Sequence, residues 1–186
     1  MKSWIPVTDF DETLLESRHV YRGRVLNLRV DTIRLKSGRE TLREIVEHPD
    51  CVCAATFLPD RRMVLVRQFR RPTGQALWEV PAGKIDPGEA PDTALLRELV
   101  EECGMVPGIL EKIVTYYVAP GTCTERMHLY LAHDCVAGEA APVEDEIIEW
   151  NAFTIQEVDH MVREGEIQDA KSLLAILLAR ESLGRA

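Results

Sequence analysis

Apolar and polar residues alternate through the first quarter of the chain. Across residues 19–35 the apolar positions Val25, Leu26, Leu28, Val30, Ile33 and Leu35 are interleaved with polar ones, which is the period of a β-strand. Ser37-Gly38-Arg39 reads as a turn and residues 41–46 as a returning strand, so a long β-hairpin is predicted here. Residues 51–58 form a nearly continuous apolar run. Pro59-Asp60-Arg61-Arg62 turns the chain, and residues 63–69 alternate as the next strand. A short strand at 77–80 leads into Pro81-Ala82-Gly83. Further strands are predicted at 112–119, 127–135 and 147–153, and helices at 155–164 and 169–180.

The helix that follows Pro91-Asp92 carries the most information. Proline suits a first helical turn and an early acid suits the dipole, while Gly104 ends the helix at its C-terminus. Leu95, Leu96, Leu99, Val100 and Cys103 fall on an arc of roughly 140°, which is the expected buried face. Glu98, Glu101 and Glu102 are expected on the opposite side. Strands interrupted by isolated helices predict an α+β domain, a mixed sheet with helices packed on its faces.

Composition narrows the class. The 186 residues are 46% hydrophobic and 28% charged, enough for a real core and unlike disordered, collagenous or coiled-coil chains. A net charge of -9 disfavours a nucleic-acid partner. The apolar run Leu173-Leu174-Ala175-Ile176-Leu177-Leu178-Ala179 is too short to cross a bilayer, and the first residues lack the apolar stretch of a signal peptide. Five cysteines, Cys51, Cys53, Cys103, Cys123 and Cys135, show no paired CxxC spacing, which suits reduced thiols in a cytoplasm. Cys51 and Cys53 are expected to pack in the core.

Glu98, Glu101 and Glu102 stand at i, i+3 and i+4 near a helix C-terminus, where they repel one another and oppose the macrodipole. A solvated acidic face is one reading of such a run. The other is a site for divalent cations, for which carboxylate oxygens and water suit Mg²⁺ or Mn²⁺. A glycine-proline loop before the helix, and Arg97 placed inside the cluster opposite Glu89, favour the second.

From Gly83 to Met105 the sequence reads Gly, five residues, Glu89, seven residues, Arg97-Glu98, Leu99, one residue, Glu101-Glu102, one residue, Gly104, Met105. This resembles the Nudix box at every fixed position. The resemblance implies a Nudix fold, a mixed β-sheet sandwiched between helices in an α/β/α arrangement, and hydrolysis of a nucleoside diphosphate linked to another moiety. By that resemblance Glu98 and Glu102 are the principal metal ligands, Glu101 acts directly or through water, and the Ala82 carbonyl completes the shell. Two or three Mg²⁺ ions per site are implied, with Mn²⁺ as an alternative. Gly83, Glu89, Arg97 and Gly104 are implied as structural members of the motif.

The flanks resemble the ADP-ribose pyrophosphatases within that family. Glu79-Val80-Pro81-Ala82-Gly83 is similar to their run into the box, and Pro120-Gly121 to a proline that marks their substrate preference. The likeness implies substrate contacts from Arg43, Arg70, Glu79 and Glu125. It also implies a catalytic glutamate in the acidic loop before residue 147, for which Glu146 is the best positional match and Glu144 the second. Asp169-Ala170-Lys171 and the leucine-rich helix after it are similar too. The implied reaction is Mg²⁺-dependent cleavage of ADP-ribose to AMP and ribose 5-phosphate. Alternatives are pyrophosphatases for ADP-glucose or GDP-mannose, and a non-catalytic module that binds ADP-ribose. The implied organisation is a β-rich N-terminal arm over 1–48, which pairs two subunits into a homodimer and helps form the nucleotide pocket, and a hydrolase domain over 49–186.

Overall fold

A computed structural model describes residues 12–138 and 147–184. The chain divides into two compact units, the first running to Pro49 and including Tyr117–Glu125, the second made of the remainder.

In the first unit β1 (Thr13–Arg22), β2 (Asn27–Arg34) and β3 (Glu40–Glu47) form an antiparallel sheet in that order. The predicted two-stranded hairpin is thus a three-stranded meander, because the stretch read as one strand from 19 to 35 breaks at residues 23–26. There the Gly23 N–H bonds the Leu26 carbonyl at 3.0 Å. A Cβ on Gly23 would come within 2.6 Å of the Tyr21 ring, so the turn needs glycine. Asp31, which is buried, accepts from Ser17 Oγ at 2.7 Å and pairs with Arg29 at 3.0 Å. Arg29 also reaches Glu47 at 2.7 Å, so charged groups link all three strands. The loop with Pro120 pairs onto β3 through Val46 N–H to Thr122 O at 2.8 Å and Thr124 N–H to Val46 O at 3.0 Å.

In the second unit the elements are β4 (Cys51–Phe57), β5 (Met63–Arg70), β6 (Gln75–Glu79), β7 (Ala82–Lys84), α1 (Pro91–Cys103), β8 (Met105–Val106), β9 (Ile109–Tyr117), β10 (Arg126–His133), β11 (Val136–Ala137), β12 (Ile148–Phe153), α2 (Ile155–Arg163) and α3 (Ala170–Gly184). A seven-stranded mixed sheet has the order β12-β5-β4-β10-β9, with β6 beside β5 and β7 beside β4. β4 and β10 run parallel, which suits their unbroken apolar runs. Alternate residues feed two cores. Cys51, Cys53, Ala55, Met63, Leu65, Leu129 and Leu131 pack with α2 and α3, and Val52, Ala54, Val64, Val66 and Tyr130 pack with α1. The sheet is therefore covered on both faces, as expected for this fold class. Burial pushes the Cys53 thiol up to about 12, which keeps it an inert core residue. No helix among the described residues is long and apolar enough to cross a membrane.

The buried face of α1 differs from the predicted arc. Leu96 is 42% exposed, while Ala94 and Glu102 are buried with Leu95, Leu99 and Cys103. The helix touches β4, β7, β8 and β12, and its approach to β7 turns the line through 94, 98 and 102 inward. Glu102 is accordingly interior rather than on an outer charged face.

Candidate functional site

The site grows from the short strand β7. Ala82 and Gly83 are held against β4 by the pairings with Cys53 and Val52. Facing them on α1, Glu102 is 8% exposed and its Oε2 accepts the Ala82 N–H at 2.9 Å. One turn earlier, Glu98 lies so close over Gly83 that a Cβ there would overlap its carboxylate. Close approach, rather than backbone conformation, is what demands this glycine. Gly104 serves a different need, ending α1 in the left-handed region at φ 64° with its N–H on the Val100 carbonyl.

Arg97 holds the acids together. Its Nη1 donates to Glu98 at 2.8 Å and Glu101 at 3.0 Å, while Nε and Nη2 donate to Glu89 at 3.1 and 3.0 Å. Nη2 also reaches the Lys84 carbonyl at 3.0 Å. The bonds from Arg97, then the Asp86 N–H, hold the Glu89 carboxyl below its usual range. Glu89 in turn is the largest cause of the raised Arg97 pKa. Four carboxyl groups thus converge on one guanidinium, and the excess negative charge faces β7. Glu98, Glu101 and Glu102, with the Ala82 carbonyl, are hard oxygen donors. That set fits Mg²⁺ or Mn²⁺ and not zinc, and the bare Gly83 leaves room for Glu98 to take part.

Arg70 and Glu79 lie side by side on β5 and β6. Glu79 is 2% exposed and receives Arg70 Nε and Nη2 at 2.8 Å each, a bidentate pair. Lys171 from α3 also contacts Glu79, and bonds Asp169 at 2.9 Å. Burial alone would push the Glu79 carboxyl up, but the Arg70 and Lys171 cations outweigh it and hold it below 4.5. Sequence reasoning gave Lys171 no role of its own. The signal was a lysine at the head of an otherwise apolar helix.

Arg43 and Glu125 belong to the first unit. Arg43 is held on β3 by Glu12, and Glu125 stands beside His48 at 3.6 Å. Glu144 and Glu146 fall outside the described residues.

Comparison with known proteins gives the following. Residues 47–175 match a family described as the NUDIX domain, and residues 12–46 one described as the nucleoside diphosphate sugar hydrolase N-terminal domain. An ADP-ribose pyrophosphatase of Bacillus subtilis (strain 168) is 34% identical, over 89% of this chain and 91% of its own. A methanol dehydrogenase activator of Bacillus methanolicus is 34% identical over 90% and 91%. A GDP-mannose pyrophosphatase of Enterobacter sp. (strain 638) is 33% identical over 89% and 90%. A solved structure titled as an ADP compounds hydrolase superposes with a TM-score of 0.84 at 23% identity, covering 93% of this chain and 94% of that one, which speaks for the fold.

Proposed function

The chain belongs to the NUDIX family of hydrolases, and from that premise we propose that it cleaves the pyrophosphate bond of ADP-ribose to AMP and ribose 5-phosphate. The observation that carries the reading is the acidic face of α1, whose Glu98 and Glu102 close on Gly83 and Ala82. The likeness to an ADP-ribose pyrophosphatase along nearly the whole chain supports this substrate.

In this reading Glu98, Glu101, Glu102 and the Ala82 carbonyl hold two or three Mg²⁺ ions. Such ions neutralise diphosphate charge and lower the pKa of a bound water. Arg97 and Glu89 keep the ligands in place, and Arg70 offers its guanidinium to a phosphate oxygen. Glu146 takes a proton from the attacking water as the phosphorus–oxygen bond of the anhydride breaks. Arg43 and Glu125 contact the nucleotide. Chains pair through the arm over 1–48 into a homodimer, and the five thiols suit a reducing cytoplasm.

The test is Glu102→Gln with a divalent-ion titration. The amide can still accept the Ala82 N–H while one ligand charge is gone, so turnover falls at least about a hundredfold and the melting temperature without metal holds or rises. Wild-type turnover that persists in excess chelator would refute the metal reading. A second substrate class has its own support, from the nucleoside diphosphate sugar match over 12–46 and the GDP-mannose pyrophosphatase relative. Comparing kcat/KM for ADP-ribose, ADP-glucose and GDP-mannose decides between them.

A further inference from the structure

The first turn of α3 grips the strand that leads into the site. Ser172, fully buried, accepts the Val80 N–H on its Oγ at 2.8 Å. Asp169 Oδ1 accepts the Ser172 N–H at 3.0 Å and Lys171 Nζ at 2.9 Å. Lys171 also donates to Oε2 of Glu79. A carboxylate buried as deeply as Glu79 stays ionised only with its cations in place. Its two oxygens are divided between them: Oε1 takes Arg70 Nε, and Oε2 takes both Arg70 Nη2 and Lys171.

This division has a geometric effect. Lys171 pulls on one oxygen and so fixes the plane of the Glu79 carboxylate. The fork of Arg70 must lie in that plane to keep both of its bonds. Nη1 of Arg70 is the part of the fork that Glu79 does not engage. The arginine side chain is 37% exposed, so this remaining edge can meet a solute. Glu102 also acts electrostatically on Arg70, which places the guanidinium near the acidic face of α1.

We propose that Lys171 is a positioning residue for substrate: through Glu79 it locks the Arg70 guanidinium in the orientation in which its remaining edge meets a phosphate oxygen of the nucleotide. The proposal rests on the pyrophosphatase reading above, and it assigns α3 a task beyond covering the sheet. Lys171 does not touch substrate. It acts by keeping a flexible arginine from sampling other rotamers, an ordering cost that would otherwise fall on binding.

The experiment uses Lys171→Met, which keeps the length of the side chain and removes its charge. KM for ADP-ribose is expected to rise about tenfold with kcat changed less than about threefold, and Mn²⁺ binding followed by electron paramagnetic resonance is expected to be unchanged. In the absence of substrate, the Arg70 Nε–H NMR signal, identified by its loss in Arg70→Lys, is expected to lose its protection from exchange. On an Arg70→Lys background, Lys171→Met should add less than about twofold to KM, since the route through Arg70 is already broken. An unchanged KM, or an effect fully additive with Arg70→Lys, overturns the proposal. If Lys171→Met does not fold, Glu79→Gln with Lys171→Met removes one charge of each sign together, and the same KM rise is expected of it. Wild-type protein that turns over no nucleotide sugar refutes the pyrophosphatase reading instead, and the Arg70 signal still decides whether Lys171 orients that guanidinium.

Discussion

At Gly83 the absence of one methyl group lets an acidic helix face close on a strand. Because a Cβ there meets only the far end of the Glu98 side chain, Gly83→Ala displaces a carboxylate and leaves the core untouched. The expected outcome is a loss of at least about a hundredfold in kcat/KM with a melting temperature within a few degrees of wild type, measured on the same preparation. Arg97 makes the opposite kind of contribution. Its five bonds reach Glu89, Glu98, Glu101 and the Lys84 carbonyl, a geometry that a lysine ammonium cannot reproduce. Arg97→Lys is expected to lose about 1–2 kcal/mol in urea unfolding, since the carboxylates it leaves behind repel one another.

Among the elements, the clasp between β6 and α3 sets a pH response. The Glu79 pKa is held below 4.5 in the folded chain, so this group adds stability that is present above that value and is lost as pH falls through the folded pKa. Lys171 is shifted the other way, burial lowering it but Asp169 and Glu79 raising it further above 10.5, so its share is present below that value and is lost as pH rises through the folded pKa. Glu79→Gln should therefore cost about 3 kcal/mol at pH 7, and the gap from wild type should narrow as pH drops below 4.5. Urea titrations at pH 7 and at acid pH check this. These elements were legible from sequence to different degrees. β4, β5 and β10 announce themselves as apolar runs, and the box from Gly83 to Met105 fixes where the carboxylates fall on α1. The inward turn of Glu102 was not legible, since a helical wheel assigns charge to the outside and carries no information about β7. The clasp was hidden for a related reason: Glu79 and Lys171 are 92 residues apart, and neither spacing nor periodicity pairs them. At Gly23 the apolar alternation continued through Val25 and Leu26, masking a turn that depends on how Tyr21 packs.

For the whole molecule, the outstanding physical question is what covers the arm. Leu14 is 57% exposed, Tyr21 57% and Leu42 59%, and β1 is exposed along its length. A three-stranded ribbon with that much apolar surface is a poor independent unit in water, and an equivalent ribbon from a second copy is the covering that symmetry supplies most simply. The expected state is therefore a homodimer, to be measured by sedimentation equilibrium across assay concentrations. Replacing Leu14, Tyr21 and Leu42 together by serine should shift it to monomer without unfolding the second unit, whose cores lie elsewhere. If the arm also serves the partner's nucleotide pocket, mixing a Glu102→Gln chain with an Arg43→Ala chain tests the crossing directly. Each variant alone is inactive or weak, and some mixed dimers then carry one site with both an intact arm contact and intact carboxylates, so activity returns on mixing. A wild-type protein that sediments as a fully active monomer refutes the arrangement. Recovery that is absent from a proven mixed dimer leaves the pairing intact and confines each arm to its own subunit.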